Sequence, residues 1–169
     1  MTLAEYWDTQ TKAKASDAPL EYLFQPRMEQ AFGRGADPLE DLDVPAAILS
    51  LGEDRSWWLT AGPALSGTLP HHHRCAINCL ARGRKRWAIY VGANRAETER
   101  LLQESYRCYS SGSQAMDWFI RECPKVRSRK VRPWEFAQEA GDLVYIPAFF
   151  IHAVVNLEPV VGFTVELEA

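Results

Sequence analysis

Nothing in this sequence is apolar over a length that could cross a membrane, and no charged leader with a following apolar segment opens it. The four cysteines, Cys75, Cys79, Cys108 and Cys123, lack the CxxC spacing of zinc and dithiol sites. These absences predict free thiols in a reducing intracellular compartment, cytoplasm or nucleus, and no membrane partner. Fixed-period repeats and low-complexity tracts are missing, which argues against a solenoid. Charge of one sign is not in excess either: a net charge of −3 gives no overall drive toward nucleic acid, which is not an expected partner. Histidine is scarce, with four in the chain, and three of these are consecutive. What is there suits one domain: 169 residues, 47% hydrophobic and 24% charged, enough to bury a core.

Local patterns divide the chain. Thr2 and Glu5 have capping-box spacing, and Leu3, Tyr6 and Trp7 form a helical stripe, so a short helix opens the sequence. Residues 19–24 read as a strand with Leu20, Tyr22 and Phe24 on one face. The polar stretch 25–43 reads as a helical turn and loop, Val44 to Leu51 is short and apolar, and an aromatic run at 57–60 closes at Gly62-Pro63. Strands are then expected at 68–74, 76–82, 85–91, 143–146, 151–157 and 160–167, punctuated by Gly83, Gly141, Pro147 and Pro159. Many short strands imply a sandwich or barrel. Helical patterns at 96–105 and 113–122 separate two strand groups and read as an insertion outside the barrel.

Chemistry concentrates in a few positions. On a strand, residues i and i+2 share a face, so His71 and His73 can point together while His72 points away. Runs of histidine also lie on solvated loops, and a third ligand is what distinguishes the two cases. His152 supplies one, in a segment otherwise apolar enough to be core. Lys85 falls on the same strand face as Trp87, Ile89 and Val91, whereas Arg84 and Arg86 fall on the other. An inward ammonium needs a partner, because burying it unpaired costs several kcal/mol, of the order found for isolated charges. A dicarboxylate ligand would be one. An internal Glu, or snorkelling to the barrel rim, would be others. Asn78 and Thr164 are polar residues inside strands, which are ordinarily hydrogen-bonded core positions.

Three stretches in this order, Ser66 through His73, Asn78 through Trp87 with Lys85-Arg86-Trp87, and Gly141 through Leu157 with His152, resemble the Jumonji-C family. The similarity is to its lysyl-hydroxylase and arginine-demethylase branch, and Ala115 through Phe119 with Pro124 resembles that branch's inserted helix. The resemblance implies a mainly β fold, a double-stranded β-helix of the cupin or jelly-roll kind with a few flanking helices. It implies Fe(II) held by an H-x-D/E pair and a distant histidine, with 2-oxoglutarate as co-substrate and a protein or peptide side chain as the group hydroxylated. Carried over by position, His71 and His152 are metal ligands, and Lys85, Thr164, Asn78 and Tyr22 contact 2-oxoglutarate.

The sequence departs from that pattern at His73, which stands where the family has a carboxylate. A third imidazole leaves one metal charge uncancelled and shifts preference toward the later members of the first-row series, so the expected ion is Fe(II) or another divalent metal such as Zn, Ni or Mn. Three readings follow: a working oxygenase, a catalytically weak or inactive module that binds metal and 2-oxoglutarate, and a three-histidine zinc hydratase or hydrolase. The expected organisation is one domain over 1–169, with an N-terminal helix and flanking strands to 62 and a barrel core from 63 bearing the helical insertion at 96–122. The chain stops soon after the last expected strand, without the helical extension many relatives use to dimerise, so dimerisation by that route is not expected and a monomer is plausible. The basic run Lys125 to Arg132 reads as a solvated loop that could alternatively meet an acidic partner.

Overall fold

The structure, a computed structural model, describes residues 3–12, 22–26, 45–50, 55–91, 94–110, 114–127 and 132–167. Helix α1 (Leu3–Lys12) precedes β1 (Leu23–Pro26), the short α2 (Ala46–Leu49), and strands β2 (Arg55–Gly62), β3 (Gly67–His71), β4 (Ala76–Arg82) and β5 (Arg84–Tyr90). Then come α3 (Arg95–Ser110) and α4, which runs from Ala115–Asp117 through a π-helical turn, Trp118–Glu122, into Cys123–Arg127. Strands β6 (Trp134–Glu139), β7 (Leu143–Ile146), β8 (Ile151–Asn156) and β9 (Val160–Leu167) complete it.

The strands form two antiparallel sheets, β1-β2-β9-β4-β7 and β3-β8-β5-β6. From β3 onward the chain passes repeatedly between them, which makes the double-stranded β-helix of a cupin barrel. One crossing, from β4 to β5, turns at Gly83 with φ of 86°, and a Cβ there would sit 2.3 Å from the Pro159 carbonyl oxygen. Glycine alone tolerates both conditions.

Each sheet has two buried faces. Between the sheets lie Ala76, Trp87, Ile89, Ile146 and Val154. Behind the five-stranded sheet, Leu59, Ile77, Cys79, Phe163, Val165 and Leu167 form a second cluster. Behind the four-stranded sheet, Leu69, Ala88, Tyr90, Ile151, Ala153 and Val155 pack against Leu101 of α3 and Trp118, Phe119 and Cys123 of α4. This accounts for the unbroken apolar character of β8, whose six residues are all buried, alternately facing the barrel and the helices. The helices do lie outside the barrel, but as part of a core rather than a detachable insertion. At the far side, buried Tyr6 of α1 donates its hydroxyl to the Ala61 carbonyl at 3.1 Å.

Several boundaries differ from the sequence expectation. The strand expected at 68–74 ends at His71, and β1 begins at Leu23, with residues 19–21 and most of 25–43 outside the described residues. The apolar stretch 44–51 holds the single turn α2, and the two helices run longer than expected, to Ser110 and Arg127. Strand β6 went unrecognised because its inward positions are Trp134, Phe136 and a polar third, Gln138, which shortens the apolar alternation to two residues. Cys75, Cys79 and Cys123 are free thiols, as expected; the Cys108 side chain lies outside the description. Burial pushes the Cys79 thiol up to about 12, so it is an inert core group.

Candidate metal centre

His71 closes β3 directly opposite His152 of β8, their ring centroids 4.3 Å apart. Strand parity alone would not put His71 inside together with Thr68, three residues earlier. The β3–β8 register shifts by one residue between Thr68 and His71, and this bulge contains Pro70, which has no N–H to give to a ladder. Leu69 therefore turns outward into the helix-covered core, while Thr68 and His71 both line the cavity.

His73 lies beyond the strand. Its carbonyl accepts from the Phe149 N–H at 2.9 Å, tying it to the turn before β8, where Phe149 takes a positive φ of 64°. A non-glycine residue held in that region stores about 1–3 kcal/mol of strain, which here accompanies the placing of a site residue. The His73 ring sits 4.7 Å from that of His152 and 5.6 Å from that of His71. His72 points away and is exposed, beside the Phe149 ring.

The three inward histidines share one hydrogen-bond pattern. Nδ1 of His71 meets the Leu69 carbonyl at 2.7 Å, Nδ1 of His152 the Phe150 carbonyl at 2.9 Å, and Nδ1 of His73 the Arg74 carbonyl at 2.6 Å. A carbonyl only accepts, so each Nδ1 carries the proton and each Nε2 keeps a lone pair for a ligand. The ligand nitrogens gather within 4.8 Å of one another. Burial lowers the pKa of His71 to about 4 and holds that of His152 well below the usual histidine value, with the neighbouring histidines adding to the effect. These two imidazoles are neutral at physiological pH, the form that binds a cation. The donor set fits a divalent ion, with nitrogens on one side and the cavity on the other.

Beneath the histidines the barrel floor is polar and closed. Three lateral rows cross the four-stranded sheet: His152–Ile89–Trp134, Val154–Trp87–Phe136, and Asn156–Lys85–Gln138. Along β6 exposure falls from 68% at Trp134 to 37% at Phe136 and 0% at Gln138, so the barrel opens at the metal end and shuts at the lysine. Lys85 is 0% exposed. Its Nζ donates to Asn78 Oδ1 at 3.2 Å and Tyr22 Oη at 3.3 Å, and Asn78 Nδ2 donates to Thr164 Oγ1 at 2.8 Å. Room for the Tyr22 ring comes from Gly62, where a Cβ would stand 2.8 Å from Tyr22 Cδ2. Among the described residues no carboxylate lies within ion-pair distance of Lys85. A buried ammonium bound only by neutral oxygens is costly, and a bound anion would relieve it.

All seven residues singled out from the sequence, Tyr22, His71, His73, Asn78, Lys85, His152 and Thr164, line this one cavity. Sequence reasoning missed Thr68, which also lines it and whose buried Oγ1 has no hydrogen-bond partner. The bulge hid it: by simple alternation Thr68 and His71 belong to opposite faces. Trp87 was placed correctly as inward, but its part as a wall was not read. Its Nε1 donates to Gln138 Oε1 at 2.9 Å, and its ring lies 5.8 Å from that of His152.

A family model described as JmjC domain, hydroxylase matches residues 44–167. The lysine-specific demethylase JMJ21 of Arabidopsis thaliana is 29% identical over 112 residues, 63% of this chain and 12% of that protein. The bifunctional arginine demethylase and lysyl-hydroxylase psr-1 of Caenorhabditis elegans is 30% identical over 114 residues, 63% of this chain and 28% of that one. The chain thus spans well under a third of the length of either relative. Among solved structures, a cupin superfamily protein from Desulfitobacterium hafniense aligns with 70% of this chain and 71% of its own, with a TM-score of 0.42 and 8% identity. The family match runs from before β2 to the end of β9, and by it the chain belongs to the JmjC domain family of hydroxylases.

Proposed function

We propose that this chain is a metal- and 2-oxoglutarate-dependent oxygenase that hydroxylates a protein or peptide side chain. The observation that carries the reading is Lys85, a fully buried ammonium with no counter-charge among the described residues, set beneath three histidines whose ligand nitrogens gather within 4.8 Å of one another. His71, His73 and His152 would hold Fe(II) or another divalent ion. The far carboxylate of 2-oxoglutarate would pair with Lys85 and take hydrogen bonds from Tyr22 and the hydroxyls of Thr164 and Thr68. Once bound, metal and co-substrate supply the oxidising chemistry, and the barrel supplies placement and dryness. Trp87 and Val154 wall the space between the two anchors and exclude water from it. The relatives' names suggest lysine or arginine side chains as substrates. A single domain over 1–169 and an intracellular site go with this reading; no described helix is long and apolar enough to cross a membrane.

A second reading, a binding module with little or no turnover, is favoured by His73, since three neutral ligands leave the ion's charge uncompensated within its first shell. Succinate formation by the purified chain with Fe(II), 2-oxoglutarate and oxygen separates the two. We expect slow uncoupled turnover in the parent and a rise in the His73→Asp variant, which restores a carboxylate ligand. A parent that turns over briskly and loses activity on that change would make three histidines the working set. A parent and a variant both unable to bind 2-oxoglutarate would remove the oxygenase reading.

A further inference from the structure

Strand β9 presents Phe163, Val165 and Leu167 to the outer cluster of the five-stranded sheet, so Thr164 and Glu166 face into the barrel. Thr164 stands opposite Asn78 at the floor; Glu166, opposite Ala76, is one step nearer the mouth, at the level of the histidines. Its Oε1 lies 4.0 Å from Nδ1 of His73, and the two side chains are 23% and 19% exposed. The carboxylate is therefore aimed at the non-ligating nitrogen of the one histidine that stands in a carboxylate's place. That nitrogen gives its proton to the Arg74 carbonyl at 2.6 Å, and the Glu166 carboxylate lies beside it, beyond hydrogen-bond distance.

We infer that Glu166 is a positioning residue that returns to the metal centre the negative charge missing from position 73, delivered one imidazole ring farther out. The inference rests on the reading that His71, His73 and His152 hold a divalent ion. The Arg74 carbonyl fixes the orientation of the His73 ring, and a carboxylate close to the same nitrogen adds negative charge that favours a cation on the other one. Three neutral imidazoles alone leave a doubly charged ion uncompensated in a half-buried pocket, where an anion one ring away is screened less than in water. A nearby, unbonded carboxylate would thus stand in place of a directly bound one. The preference among ions that such a site shows would depend on Glu166 as well as on the ligands.

The probe is Co(II) alone, titrated into the full chain against a chromophoric chelator. Glu166→Gln, nearly isosteric and uncharged, should weaken Co(II) binding by about tenfold to a hundredfold, the range found when such supporting groups are lost. The melting midpoint of the metal-free chain should not move. In the His73→Asp background the same Glu166→Gln change should have little effect or tighten binding, because two adjacent carboxylates repel. An unchanged affinity in the parent background, or an equal loss in both backgrounds, would overturn the inference, the latter by showing a merely structural role. A parent chain that binds no Co(II) at all would instead defeat the metal reading beneath it.

Discussion

The floor and the rim of the cavity hold their polar groups in different ways. At the floor, Lys85, Asn78, Thr164, Asn156 and Gln138 are all nearly or fully buried, and most of their bonds run from strand to strand: Lys85 to Asn78, Asn78 to Thr164, Gln138 to Trp87. At the rim, His71, His73 and His152 each bond to a backbone carbonyl within two residues of themselves. The floor is thus a product of the sheets, fixed as long as the barrel is. The rim's rings are oriented by their own neighbouring carbonyls, while the β3–β8 bulge at Pro70 and the turn at Phe149 bring them together.

If floor and rim are separate in this sense, Lys85→Ala should weaken 2-oxoglutarate binding by about tenfold to a hundredfold, the equivalent of a lost charge-assisted hydrogen bond at about 1.5–3 kcal/mol. Metal affinity, measured in the same calorimetric series, should stay nearly constant. Loss of both would show that the two ends are one coupled network.

The rim should dominate the pH response of the metal-free chain. Unfolded histidines take up protons near 6.5, whereas folded His71 does so only near 4 and His152 is held down in the same direction by burial. Between those values the unfolded state binds more protons, so stability is full above pH 6.5 and falls as pH drops toward about 4. The loss should be about 3 kcal/mol from His71 alone, with His152 adding to it, in denaturant titrations, and replacing His71 and His152 by Gln should flatten the slope. A slope that survives both replacements would place the titrating groups elsewhere.

The smallest effect tests where rim and floor meet. Thr68→Val removes a hydroxyl that has no partner in the free chain, so stability should hold or rise slightly. Co-substrate affinity should fall severalfold, about 0.5–1.5 kcal/mol, if that hydroxyl meets the bound carboxylate. Binding that is unchanged would leave Thr68 a wall residue only.

Much of the floor was legible because strand parity is a local rule: Lys85 had to share a face with Trp87 and Ile89, and the residues on either side of it, Arg84 and Arg86, had to point out. Arg86 does so, pairing with Glu135 at 2.6 Å outside the barrel. That Asn78 and Thr164 belong to one site came only through family resemblance, and their hydrogen bond only from the structure, since nothing local relates two residues so far apart. At the rim the structure gathers the three histidines that the sequence singled out, but not by the expected route. His71 and His73 converge, but not as i and i+2 on one strand, because β3 ends at His71 and a hydrogen bond from Phe149 places His73.

By itself, then, the sequence determined the alternation of inward and outward residues within strands and the shortage of histidine that made His71, His73 and His152 conspicuous; the departure from a carboxylate at 73 came through the family resemblance. The first two depend on side-chain type and a two-residue period, which any short window of chain contains. Tertiary structure decided what depends on approach between distant strands: that Thr68 turns inward, that helices α3 and α4 belong to the core, and that Glu166 comes within 4.0 Å of His73. No local rule carries those facts, because register, bulges and sheet closure bring β3, β8 and β9 together only when the barrel has formed.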